Sequence, residues 1–157
     1  MSNPFGNTIT PEAVIDTLGF FDDWEERYRY IIDLGKELPS MPEELHTEDR
    51  EIKGCQSHVW IEPSVVEGRL CFAVDSDAHV VRGLLAVVLA AVNNKSASDI
   101  LAFDMEAYFQ KIDLLKHLSP TRGNGLRAMV ERVRQVAQEA MHRAGARQSL
   151  AEEPLVS

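Results

Sequence analysis

The ten residues Gly83-Leu84-Leu85-Ala86-Val87-Val88-Leu89-Ala90-Ala91-Val92 constrain the fold more than any other part of the chain. A helix that is apolar all round belongs in a core, and this run is too short to span a bilayer, which takes roughly 20 residues. The polar residues His79, Arg82, Asn93 and Asn94 sit at its ends. The segment predicts a central helix over about 78–93, with Asp75-Ser76-Asp77 ending a preceding strand and capping it.

Other elements must cover that helix. Thr10 caps a first helix with Pro11 in its first turn, continued by Val14, Ile15 and Leu18 up to Gly19. Asp22 or Asp23 opens a second, over roughly 23–37, whose buried stripe is Trp24, Tyr28, Ile31, Ile32 and Leu34. Leu38-Pro39-Ser40-Met41-Pro42 stops it, because proline lacks an amide donor and restricts its predecessor. Residues 43–55 then form a polar connector, mobile unless pinned, with Leu45 and Ile52 as the pins. Residues 57–62 alternate as a strand, Val59 and Ile61 against His58 and Trp60. Glu67-Gly68 is a turn, and residues 69–75 return as a second strand that packs Cys71 within an apolar run. Two strands alone are marginal and need helical cover or a third strand.

Downstream, residues 98–101 open a turn and 104–112 a short helix around Met105, Tyr108 and Phe109. Residues 118–125 read as a loop. The last helix spans about 125–144, with Leu126, Met129, Val130, Val133, Val136, Ala137 and Ala140 on its apolar side and Gly145 closing it. The order of elements predicts an α+β fold, helices packed on a small antiparallel sheet. A single domain over 1–147 is expected, followed by a flexible tail, 148–157.

Charge and cysteine usage narrow the function. A formal charge of -9 on 157 residues argues against a general nucleic-acid binder. The acidity is uneven: residues 1–62 hold fourteen Asp/Glu and five Lys/Arg, residues 127–147 five Arg and two Glu. Such a dipole can steer a protein partner, although an ordinary solvated surface is the better reading. No secretory signal and no membrane span are evident. Cys55 and Cys71 form neither a CxxC nor a zinc set, which predicts two thiols in a reducing cytoplasm.

Cys55 carries the chemistry. It lies in Lys53-Gly54-Cys55-Gln56-Ser57, a glycine-hinged polar loop ahead of a strand, where a sulfur can be reached and exchanged. Chemistry needs the thiolate; Lys53, Arg50 or Arg122 would favour it and Glu51 oppose it. An incidental loop cysteine is an equal alternative on the residues alone. A cysteine hydrolase would need a histidine base, for which His58 is close in sequence but unaccompanied by an orienting Asp or Asn. A metal site from Cys55, His58, Asp75 and Asp77 is a weak signal, and capping is the stronger reading of the two aspartates. Trp60 reads as a packing residue, with partner docking as the alternative.

From about residue 12 to 144 the chain strongly resembles the SufE/CsdE family of cysteine desulfurase sulfur-acceptor proteins. The resemblance rests on Trp24-Glu25-Glu26-Arg27-Tyr28, Ile31-Ile32-Asp33-Leu34-Gly35-Lys36 and Leu38-Pro39. It continues through Ile52-Lys53-Gly54-Cys55-Gln56-Ser57-His58-Val59-Trp60 and Asp75-Ser76-Asp77 with Val80-Val81-Arg82-Gly83-Leu84-Leu85-Ala86. It closes with His117-Leu118-Ser119-Pro120-Thr121-Arg122 and Gly125-Leu126. Gly54-Cys55-Gln56-Ser57 with Val59-Trp60 is similar to SufE; the 82–87 segment and the Leu45–Ile52 connector are more similar to CsdE.

The resemblance implies the fold of the IscU-type scaffold proteins and an acceptor cysteine at Cys55. It implies a partner, a SufS-like or CsdA-like cysteine desulfurase that carries pyridoxal phosphate, while this chain binds no cofactor or metal directly. Cys55 would take the outer sulfur of the partner's persulfide and pass it to an iron-sulfur scaffold or another sulfur-transfer protein, stimulating the desulfurase as it does so. A non-carrier allosteric regulator is the competing reading. Arg122 matches a family position near the cysteine loop. Lys53, Gly54, Gln56, His58, Trp60, Asp75, Asp77 and Arg82 are the expected loop-supporting or docking residues. The resting loop should tuck Cys55 partly against apolar surface and swing out to meet the partner.

Overall fold

The computed structural model describes residues 3–55 and 57–152, with side chains through Ala144; Gln56 lies outside it. The elements in order are α1 (Pro11–Gly19), α2 (Trp24–Lys36), β1 (Val59–Val66), β2 (Arg69–Ser76), α3 (His79–Val92), α4 (Ala97–Ala102), α5 (Met105–Lys111) and α6 (Pro120–Glu152). Single 3-10 turns at Glu43–Leu45 and Glu48–Arg50 shape the connector before β1. This is the expected α+β arrangement.

Local chemistry sets the element boundaries. Thr10 caps α1 by accepting from Ala13 N at 3.2 Å, and Asp23 caps α2 by accepting from Glu26 N at 2.8 Å. The β1–β2 hairpin pairs from Val59 opposite Ser76 to Val66 opposite Arg69. Its turn residues Glu67 and Gly68 have φ of 53° and 78°. Two successive left-handed residues match the twist of the flanking strands. β1 is longer than the alternation predicted and runs through Pro63, which faces Phe72.

α3 is the centre, buried at every position from Gly83 to Val92. Against one side lies the inner face of the hairpin, including Val59, Ile61, Phe72 and Val74. Against another lies α2, and glycine sets that crossing. A Cβ built on Gly35 would sit 2.7 Å from Gly83 N, and one on Gly83 only 2.5 Å from Ile31 O. Asn93, 1 % exposed, stitches the N-terminal segment to the sheet. Its Oδ1 accepts from Phe72 N at 2.8 Å and its Nδ2 donates to Phe5 O at 3.0 Å.

Several expectations are corrected. Neither Asp75 nor Asp77 caps α3: the cap position is Ala78, without a side-chain bond, and Ser76 Oγ accepts from Ala78 N at 3.2 Å. The aspartates are drawn to other partners, described below. Cys71 does not pack in the core; it stands half-buried on the outer face of the hairpin, opposite Ser64. Residues 120–125 are not loop. α6 begins at Pro120, where Ser119 Oγ accepts from Arg122 N at 3.3 Å, and it passes through Gly145 to Glu152. Of the expected tail, 153–157 lie outside the described residues. No helix among the described residues is long and apolar enough to cross a membrane.

Candidate functional site

The Cys55 loop is a six-residue excursion, 53–58, with a closed neck. Ile52 N donates to Val59 O at 2.8 Å, and Glu51 bridges to Trp60. Ile52 is 4 % exposed and pins the neck in the core as expected; Leu45 is half-buried. The connector has further anchors that sequence reasoning missed. His46 stacks on Trp60, ring centres 4.1 Å apart, and its Nε2 lies 2.9 Å from Asp75 Oδ2. Arg50 pairs with Glu62, and Arg132 of α6 donates to Asp49 O at 3.2 Å.

Two glycines let the loop lie on α6. Gly54 has φ of 91°, a left-handed conformation that a side chain would strain. Gly125 lies under the sulfur: Cys55 Sγ donates to Gly125 O at 3.7 Å, and a Cβ on Gly125 would stand 3.6 Å from Sγ. Beside the half-buried sulfur is a cavity of about 70 Å³, walled by Ala78, Val81, Leu84 and Met129, with Thr121 and Arg122 at its edge.

The electrostatics run against the expectation of an activated thiol. Burial pushes the Cys55 thiol above its ordinary range, and the Glu51 carboxylate adds to the rise. Two of the cations invoked to lower it are committed elsewhere, and none of the three figures among the causes of its shift. Lys53 faces Glu48 at 3.8 Å in solvent, and Arg50 is held by Glu62. Arg122 lines the cavity, and its charge acts on Tyr28, lowering a phenol that burial raises.

The remaining expected residues fall into two groups around the neck. His58 Nδ1 lies 3.1 Å from Glu51 Oε2; since a carboxylate only accepts, Nδ1 donates. Asp77 Oδ1 accepts from His58 N at 3.1 Å. In the second group Asp75 joins His46 to Arg82, whose Nε lies 3.4 Å from Asp75 Oδ1, and Trp60 carries the His46 and His58 rings. The structure thus brings Cys55 and Arg122 to one cavity and His58 and Asp77 to the neck, while Lys53 stands apart. Gln56 falls outside the described residues. Gly125 and Met129 were read as the start and the apolar side of the last helix; that they also seat the sulfur depends on the packing of the loop against α6, which no local pattern signals.

This geometry disfavours a hydrolase. The Cys55 hydrogen bond ends on a carbonyl, and the His58 ring is engaged by Glu51 rather than by the sulfur. Among the described residues, no three His, Cys, Asp or Glu side chains converge where they could hold a metal ion.

Fold and loop together define a small α+β protein that seats one thiol, on a glycine-hinged loop, against its last helix. The chain belongs to the SufE family: the family model, described as an Fe-S metabolism associated domain, matches residues 12–137. An uncharacterized SufE-like protein of Rhizobium meliloti is 45 % identical over 131 residues, 81 % of this chain and 94 % of the relative. The sulfur acceptor protein CsdE of Escherichia coli is 42 % identical over 132 residues, 83 % of this chain and 90 % of that protein. Among solved structures, a hypothetical protein from Thermus thermophilus shares the fold with a TM-score of 0.70 at 16 % identity, covering 90 % of this chain and 99 % of that one.

Proposed function

We propose that this protein is a sulfur acceptor for a cysteine desulfurase and that Cys55 is the accepting thiol. Family membership and the likeness to a protein named as a sulfur acceptor support the first statement. The observation that carries the second is the seat of Cys55: half-buried, on a hinged loop, beside a cavity large enough for one more sulfur atom.

The transfer is a thiol exchange. Cys55 gives up its proton, and its thiolate attacks the outer sulfur of the desulfurase Cys–S–SH. A new S–S bond forms, the partner's S–S bond breaks, and the partner cysteine leaves as the thiolate. The electrons stay with the sulfurs, so no oxidant or reductant is consumed. The partner's pyridoxal phosphate supplies the C–S cleavage that makes the persulfide. Reverse exchange hands the sulfur to a downstream thiol, of iron-sulfur cluster assembly or of another sulfur-transfer pathway.

A resting thiol held protonated is a poor nucleophile, so attack requires the loop to open. Opening relieves both causes of the raised pKa, burial and Glu51. The single domain 1–147 is the working unit, acting in a reducing compartment. The test is desulfurase turnover with and without this protein. Wild type should accelerate cysteine consumption and Cys55→Ser should not; equal acceleration by both would make the chain an allosteric regulator instead.

A further inference from the structure

Among the described residues four large apolar side chains stand in solvent, and they lie in two places. Val65 and Met141 line a groove between the tip of the hairpin and α6, with Val66 next to them in sequence at that tip. Met141 is about 24 Å along α6 from Gly125, over which Cys55 sits. Phe20 stands alone at the turn between α1 and α2 and is the most exposed of the four, at 83 %. We infer that Phe20 anchors a docking strip running from the α1–α2 turn to the edge of the Cys55 cavity, and that the partner covering it is the cysteine desulfurase. The identity of that partner rests on the reading of this protein as a sulfur acceptor.

A single exposed apolar side chain is ordinary; the mounting and the neighbours of Phe20 are what distinguish it. Its turn is fixed at several points. Phe20 N donates to Thr17 O at 3.1 Å, Phe21 N to Leu18 O at 3.2 Å, and Arg27 Nε to Phe21 O at 3.0 Å. An aromatic side chain on backbone already held in place loses little freedom on binding.

From this turn the contacts continue residue to residue. The Arg27 guanidinium lies 5.3 Å from the centre of the Trp24 ring, Trp24 stacks on His117 at 4.0 Å, and the Tyr28 hydroxyl donates to His117 O. Ser119 then caps α6, and Arg122 in its first turn reaches the cavity edge and acts through its charge on Tyr28. Trp, Tyr and Arg are the side chains that most often carry binding energy at protein interfaces. A stable interface covers about 800 Å² on each partner, more than the Cys55 loop alone presents. A desulfurase that reaches the sulfur must therefore also cover surface beside it. The strip adjoins the cavity, whereas the groove at Val65 and Met141 does not.

The experiment titrates this protein against a purified SufS-like and, separately, a CsdA-like cysteine desulfurase, with affinity read by calorimetry and stimulation by cysteine turnover. With the enzyme that binds, Phe20→Ala should weaken affinity and raise the half-saturating concentration by about five- to thirtyfold, with the rate at saturation unchanged. Phe20→Tyr, which keeps the ring, should retain most of the affinity. Val65→Ser with Met141→Ser, which removes the other exposed patch, should bind as wild type does. The thermal midpoint of Phe20→Ala should not move, because the ring it removes is in solvent. Wild-type affinity in Phe20→Ala, an equal loss in the Val65→Ser, Met141→Ser protein, or no binding of wild type to either enzyme would overturn the strip. The acceptor reading is scored apart by Cys55→Ser, which should bind with wild-type affinity and take up no sulfur.

Discussion

Glycine makes two close approaches in this molecule, and they differ in tightness. At the crossing of α2 and α3, added Cβ atoms would meet backbone at 2.5 to 2.7 Å, inside any tolerable distance. Where the Cys55 loop meets α6, added Cβ atoms on Gly54 and Gly125 would meet their neighbours at 3.7 and 3.6 Å, ordinary van der Waals contact. The first contact is locked. The second is a looser seat, held by a long sulfur hydrogen bond and by polar contacts at the neck of the loop. The molecule places its tightest contacts in the helix crossing and sets the thiol on a more weakly held element, as the proposed exchange of sulfur at Cys55 would require.

The sharpest way to break this contrast is Gly83→Ala. Pushing a methyl into the Ile31 backbone should cost about 1–3 kcal/mol or more. That lowers the thermal midpoint by roughly 2–10 °C in a chain of this size. Calorimetry showing no loss would mean that the crossing is not locked.

Gly54→Ala probes the seat itself. Its φ of 91° strains a side chain by roughly 1–2 kcal/mol in the closed loop. Thiol labelling of Cys55 should therefore accelerate by about tenfold, with little change in global unfolding. An unchanged labelling rate would show that the loop does not relax by opening.

A pH effect is expected next. A thiol raised in the closed loop favours its protonated form there. The closed loop is thus favoured in full below the ordinary thiol range and weakened as pH rises through the raised value. Absorbance titration of the Cys71→Ser protein should place Cys55 above a free cysteine, and Glu51→Gln should lower it part of the way, burial being the larger cause. An ionisation at or below that of a free thiol would contradict the closed seat.

The smallest effect is Gly125→Ala. A helix-interior glycine gains up to about 1 kcal/mol on becoming alanine, and the space over Gly125 accepts the methyl. The midpoint should hold or rise by a few degrees in a melt, opposite in sign to Gly83→Ala; a clear fall would mean the loop is as tightly fitted as the core.

Much of this was legible in the sequence. Thr10 and Asp23 announced their helices, Glu67-Gly68 its hairpin, and the 83–92 run its burial, because local chemistry decides each of them. The start of α6 was not legible: Gly123 and Gly125 weaken the helical pattern, and only the sulfur packed over Gly125 explains one of them. Nor were the roles of Asp75 and Asp77, which left the cap position because His46, Arg82 and the His58 backbone, distant in sequence, gave them better partners. The Cys55 loop could be located from Gly54 and its polar neighbours, but the charge around the sulfur could not. Lys53 is near in sequence and paired with Glu48, whereas the charge of Glu51, also near, adds to the rise of the thiol.

The most direct test loads the protein with sulfur. Incubation with a cysteine desulfurase and cysteine, followed by intact-mass and peptide analysis, should show one added sulfur atom on Cys55, none on Cys71, and its removal by a reductant. An adduct confined to Cys71, or no adduct on a protein that still stimulates the desulfurase, would contradict the assignment of Cys55 as the acceptor.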